Sequence, residues 1–183
     1  TAYDYPFGLL ADQAEVDMVL VGDSLGMVVM GLDGTVEVTM EDMIHHIKAV
    51  MRGCKGSLVI GDMPFMSYNT SIREAIHNAG RLMKEGGCDA IKLEGGVRIA
   101  EQIRAISDAG IVVMGHIGLT PQSSGQLGGH KAQGRTAEAA KLVYEDAVAV
   151  KEAGALMLLV EAVPPEVCGY IARQLHFPVL SIG

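Results

Sequence analysis

Polar residues close a series of short apolar runs in this chain, and their types are those of a metal-assisted acid–base site. Asp23 ends Met18-Val-Leu-Val-Gly-Asp23, Asp62 ends Ser57-Leu-Val-Ile-Gly-Asp62, and Lys92 and Glu94 lie in Ala90-Ile-Lys-Leu-Glu94. His116 ends Ile111-Val-Val-Met-Gly-His116, and Glu161 ends Ala155-Leu-Met-Leu-Leu-Val-Glu161. Hard carboxylate oxygens without Cys or clustered His select Mg²⁺ or a similar cation over zinc. Asp23 and Asp62, each following a glycine, fit as direct ligands, and Glu94 is a third ligand or acts through water. Lys92 and Glu94 are two apart on one strand and project from the same face. Inside an apolar run they must pair with each other or with a ligand. Burial at the end of the most apolar run would suit Glu161 to proton abstraction, and His116 is a further acid–base candidate. A single strand-end Asp is as often the N-cap of the next helix, and a single His is more often a satisfied core residue. Recurrence on consecutive strands is what points to a site.

The elements that must position these residues repeat as strand, polar turn and helix. Continuous Val/Ile/Leu/Met runs suit a parallel sheet buried on both faces. A further run, Pro178-Val-Leu-Ser-Ile-Gly183, follows the same pattern, and Thr1-Ala-Tyr-Asp4 reads as the tail of another strand leading into a helix with Leu9, Leu10 and Ala14. Thr39 with Asp42 and Ser71 with Glu74 have the form of capping boxes. Ile44, Ile47 and Met51 follow the first, and Ile72, Ala75, Ala79 and Leu82 follow the second up to Gly86-Gly87. Ile99, Ile103 and Ile106 mark a helix closed by Gly110, and Thr136 caps one carrying Leu142, Val143 and Val150 up to Gly154. Pro164-Pro165 opens a last helix with Val167, Ile171 and Leu175 as its buried edge. Polar ends on nearly every strand favour a (β/α)₈ barrel, which gathers its strand ends at one mouth. A doubly wound sheet concentrates its ligand at a switch point, and no G-x-G-x-x-G is present. Residues 1–183 are therefore expected to form a single (β/α)₈ TIM barrel domain, with the start of strand 1 and the eighth unit outside the sequence.

Composition narrows the function classes. The chain has 183 residues, 49% of them hydrophobic, which suffices for one core. A net charge of −8 offers no basic stripe for nucleic acid or an acidic membrane. The longest apolar run, residues 155–160, is too short to cross a bilayer. No signal peptide is recognisable, and a chain beginning Thr-Ala-Tyr without Met is expected to have lost its true start. Cys54, Cys88 and Cys168 are widely spaced with no C-x-x-C pair, and read as reduced thiols of a cytoplasmic enzyme rather than as a nucleophile. His45 and His46 read as a partly solvated helix pair, and the 11 methionines as core filler. The glycine-rich stretch from Gln122 to Arg135 lacks a Gly-Lys-Ser/Thr and reads as a mobile loop over the mouth.

Ordered motifs then identify a resemblance. They are Thr-Ala-Tyr-Asp-Tyr-Pro at 1–6, Val-Gly-Asp-Ser-Leu-Gly at 21–26, Asp-Met-Pro-Phe-Met-Ser-Tyr at 62–68 and Lys-Leu-Glu-Gly-Gly at 92–96. Met-Gly-His-Ile-Gly-Leu-Thr-Pro-Gln at 114–122, Gln-Leu-Gly-Gly-His-Lys-Ala-Gln-Gly-Arg at 126–135 and Glu161 before Val-Pro complete the set. The chain resembles the ketopantoate hydroxymethyltransferase family from Thr1 to Gly183, although Ala162 stands where that family usually has Cys or Gly. The resemblance implies transfer of a hydroxymethyl group from 5,10-methylenetetrahydrofolate, as co-substrate, to 3-methyl-2-oxobutanoate, giving 2-dehydropantoate for pantothenate. It implies Mg²⁺ and a homodecamer. Asp23 and Asp62 then resemble the metal ligands, with Glu94 beside them, and Ser24 a contact to the substrate carboxylate. Lys92 resembles a contact to the substrate oxygens, Glu161 the base, and His116 a neighbour of the substrate. The chemistry agrees: a 2-oxo acid chelates Mg²⁺, which acts as Lewis acid on the developing enolate. The competing enzyme is a Mg²⁺-dependent 2-oxoacid lyase or mutase of the phosphoenolpyruvate mutase and isocitrate lyase type, whose Lys-Cys-Gly motif is absent. An inactive barrel scaffold would have lost strand-end polar residues, and every expected one is present.

Overall fold

The structure is a computed structural model and describes residues 1–129 and 131–183. His130, in the 126–135 motif, lies outside the described residues. Strands and helices alternate, and the chain divides into two compact units, Thr1–Lys92 and Leu93–Gly183.

In the first unit, α1 (Tyr5–Gln13) precedes β1 (Met18–Val21), short α2 (Leu25–Val28), α3 (Met40–Gly53), β2 (Leu58–Asp62) and α4 (Ile72–Arg81). Strand β3 (Ala90–Glu94) begins here and runs into the second unit. β1 pairs in parallel with β2, and β2 with β3, in sequential order and with Asp62 opposite Lys92. The helix starts are chemical. Asp4 accepts from Phe7 N–H at 2.9 Å, Thr39 and Asp42 form a complete capping box, and Ser71 accepts from Glu74 N–H at 3.2 Å. α3 buries Met43, Ile44, Ile47 and Val50. Thr1–Asp4 is not a strand, contrary to expectation. Only Ala2 N–H makes a rung, to Leu20 O at 3.1 Å, because Asp4 turns the chain into α1. After α4 the chain widens into a π-turn, Leu82–Gly86, which no periodicity signals. It sets Gly86 so close to α3 that a Cβ there would lie 2.9 Å from the Ile47 side chain.

The second unit continues with α5 (Ala100–Asp108), β4 (Val113–Gly118), short α6 (Ser124–Leu127), α7 (Ala137–Glu152), β5 (Met157–Glu161), α8 (Pro165–Leu175) and β6 (Val179–Ile182). β4, β5 and β6 pair in parallel and in order, with Gly118 opposite Glu161 and Glu161 opposite Ile182. β4 starts two residues later than the apolar run and continues past His116, because Ile111 N–H still closes α5 onto Ile106 O. On α7 the buried edge is Val143, Ala147 and Val150, while Leu142 is exposed. The 122–135 stretch is not a plain loop. Pro121–Ser123 forms a 3₁₀ turn running into α6, and Gln133 N–H donates to Ala162 O at 2.8 Å. No helix among the described residues is long and apolar enough to cross a membrane.

Candidate active site

The parallel register of the first unit assembles a charged cluster from residues far apart in sequence. Lys92 Nζ lies 2.9 Å from Asp62 Oδ1, and both side chains are at least 97% buried, 3% and 1% being exposed. The other Asp62 oxygen accepts from the backbone N–H of Asp23 at 3.1 Å, so the turn after β1 is tied to the end of β2. Asp23 is itself buried. It stands two residues beyond β1, in a turn closed by Leu25 N–H on Gly22 O. Ser24 Oγ lies 2.8 Å from the hydroxyl of Tyr3. A Cβ at Gly22 would reach 3.0 Å from Ser24 Oγ and 3.8 Å from Asp62 Oδ2, so glycine keeps the floor of this turn open.

The donor set of this cluster fits a hard divalent cation. It has carboxylate oxygens and no sulfur, and Mg²⁺ characteristically takes one or two protein carboxylates and keeps its remaining positions for water and substrate. Two carboxylates and one ammonium leave a single net negative charge, which favours a cation. Among the described residues no group of three or more His, Cys, Asp and Glu side chains is placed to hold a metal alone.

In the second unit an imidazole stands between two carboxylates. His116 Nδ1 lies 3.4 Å from Glu94 Oε1, and His116 Nε2 lies 3.1 Å from Glu161 Oε2. Glu94 is fixed from its other oxygen by Gln122 N–H at 3.0 Å. The strand end is also held by Gly95 N–H on His116 O, 2.8 Å, and by Leu119 N–H on Glu161 O, 2.8 Å. Each ring nitrogen of His116 thus faces one carboxylate at ion-pair distance. Glu161 is less buried than its strand suggests. Its side chain is 21% exposed, enough for a reactant to reach it. Lys92 and Glu94 thus find their charge partners in Asp62 and His116. Tyr3 and Gln122 were not foreseen. The first acts through its hydroxyl on Ser24 and the second through a backbone N–H, which no residue type reveals.

Four residues singled out earlier belong to scaffolding. His46 Nδ1 lies 2.6 Å from Tyr3 O, and since a carbonyl only accepts, the ring donates. All three cysteines are buried and unpaired, and burial pushes the Cys88 thiol up to about 12.

The family described as "Ketopantoate hydroxymethyltransferase" matches residues 1–183. The 3-methyl-2-oxobutanoate hydroxymethyltransferase of Alkaliphilus metalliredigens is 62% identical over 183 residues, covering 100% of this chain and 65% of its own length. The like-named protein of Bacillus subtilis is 55% identical, covering 100% of this chain and 66% of its own length. The chain therefore spans about two thirds of the length of these curated relatives. Among solved structures, phosphoenolpyruvate phosphomutase from Streptomyces platensis aligns with a TM-score of 0.72 at 18% identity, over 98% of this chain and 66% of its own. Phosphonopyruvate hydrolase in complex with oxalate and Mg²⁺ gives 0.72 at 13%, over 99% and 64%. These two likenesses establish the fold class, an α/β barrel of the (β/α)₈ type, and nothing about activity.

Proposed function

Since the chain belongs to the ketopantoate hydroxymethyltransferase family, we propose that the protein moves a hydroxymethyl group from 5,10-methylenetetrahydrofolate to 3-methyl-2-oxobutanoate, yielding 2-dehydropantoate. The observation that carries the chemical reading is the buried Lys92–Asp62 pair beside Asp23. A fold spends charge in its interior only where the groups compensate each other or serve a ligand.

Asp23 and Asp62 would hold Mg²⁺, with Glu94 acting through water. When bound, the cation supplies Lewis acidity toward the carboxylate and keto oxygens of the 2-oxo acid. Ser24 donates to the substrate carboxylate. Lys92 places positive charge where the keto oxygen becomes negative. Glu161 takes the C3 proton, its carboxylate oriented by His116, and the freed electron pair at C3 attacks the methylene carbon brought by folate; both bonds from that carbon to folate nitrogens break, water supplies the hydroxyl oxygen, and tetrahydrofolate leaves. The same family membership supports a homodecamer working in the cytoplasm, with no nucleic acid or membrane as partner.

A steady-state assay with both substrates, with and without Mg²⁺, tests the proposal. Expected is 2-dehydropantoate formation that a chelator abolishes and Mg²⁺ restores. Metal-independent turnover would remove the role of Asp23 and Asp62, and cleavage of a phosphonopyruvate carbon–phosphorus bond instead would favour the mutase and lyase chemistry.

A further inference from the structure

Tyr3 belongs to no element of regular structure, yet it is tied at both ends. Its backbone carbonyl accepts from the His46 ring at 2.6 Å, and the neighbouring Ala2 N–H donates to Leu20 O on β1 at 3.1 Å. Its hydroxyl reaches Ser24 Oγ at 2.8 Å across the turn after β1. Opposite, the absent side chain of Gly22 leaves that oxygen just enough room.

A serine hydroxyl has three staggered wells and one proton, so an unguided Ser24 would spend its donor on any nearby acceptor. From this geometry we infer that Tyr3 is a positioning residue for the 2-oxo acid, and that His46 holds it in register. The phenol donates to Ser24 Oγ, which leaves the serine proton to point at the substrate carboxylate. Each bond in such a chain polarises the next, so the serine becomes a stronger donor toward an anion. The inference rests on reading Ser24 as the carboxylate contact. It gives the His45–His46 pair a use: His46 acts through a main-chain carbonyl and not as a ligand.

The test is exchange of the substrate C3 proton with D₂O, using 3-methyl-2-oxobutanoate alone with Mg²⁺, so that folate does not enter. Tyr3→Phe is expected to raise KM for the 2-oxo acid about 3- to 10-fold, the range of one lost hydrogen bond, with the maximal exchange rate held within about twofold. In a Ser24→Ala background the same change should add nothing, because the group it orients is gone. His46→Ala should reproduce the KM rise and His46→Asn should recover it, since the Asn amide can donate where Nδ1 did. An unchanged KM in Tyr3→Phe, or equal KM rises with and without Ser24, would overturn the inference. If Ser24→Ala leaves KM unchanged, the reading of Ser24 falls and the inference with it. If Ser24→Ala raises KM but Tyr3→Phe does not, only the inference falls.

Discussion

An ammonium and a carboxylate buried together stabilise a fold only as a pair. Lys92 and Asp62 are therefore expected to respond to mutation in a way a surface pair would not. Lys92→Ala strands a carboxylate with almost no water and should cost about 3–5 kcal/mol, whereas Lys92→Met combined with Asp62→Asn should recover most of that loss in a thermal melt while remaining inactive. The thiols make the opposite case. With Cys88 pushed up to about 12 and all three cysteines buried, alkylating reagents near neutral pH should leave the folded protein unmodified and active. Mass spectrometry after iodoacetamide checks this. At this scale the sequence was informative wherever a charge interrupted an apolar run. Asp23, Asp62, Lys92, Glu94, His116 and Glu161 stand out because such runs tolerate charge only for a reason. Which charge meets which was not legible. Lys92 and Glu94 look like partners two residues apart, and strand register sends them to different groups.

Turns do the positioning, and their glycines carry the constraint. Gly118 follows His116 on β4 with φ of +86°, and a Cβ there would come within 2.3 Å of Glu161 O. Gly118→Ala should displace the backbone of the proposed base and lower the exchange rate more than it lowers stability, a difference visible by comparing kcat with Tm. The join between α1 and β2 depends on Asp12, which accepts from Gly56 and Ser57 N–H at 2.8 and 2.9 Å and is thereby held at about 2 instead of 3.8. A depressed carboxylate contributes stability that is complete above its unfolded value and fades as pH falls through the folded one. Asp12→Asn should therefore be less stable than the parent at neutral pH, and the difference should shrink between about pH 4 and 2. Helices and strands were largely readable in advance because capping residues and apolar period are local. The π-turn after α4, the late start of β4 and the α6 turn were not, since each follows from how a segment must meet a neighbour already in place.

For the molecule as a whole, the likeness to solved structures at under 20% identity shows how little sequence the fold demands. A bound cation stabilises only the folded state, by about 2.7 kcal/mol at a hundredfold excess over Kd. Mg²⁺ should raise Tm where NaCl at equal ionic strength does not, and Asp62→Ala should remove that difference. Barrel topology could be inferred from strand-end polarity, whereas the support from Tyr3 and Gln122 could not, because neither contact leaves a trace in residue type or spacing. The central claim is that Glu161 makes the 2-oxo acid a nucleophile, and solvent exchange at C3 measures that step without folate. Glu161→Gln should bind 3-methyl-2-oxobutanoate with nearly unchanged affinity by calorimetry and show no enzyme-dependent deuterium incorporation. Exchange at the parent rate in that variant would contradict the assignment.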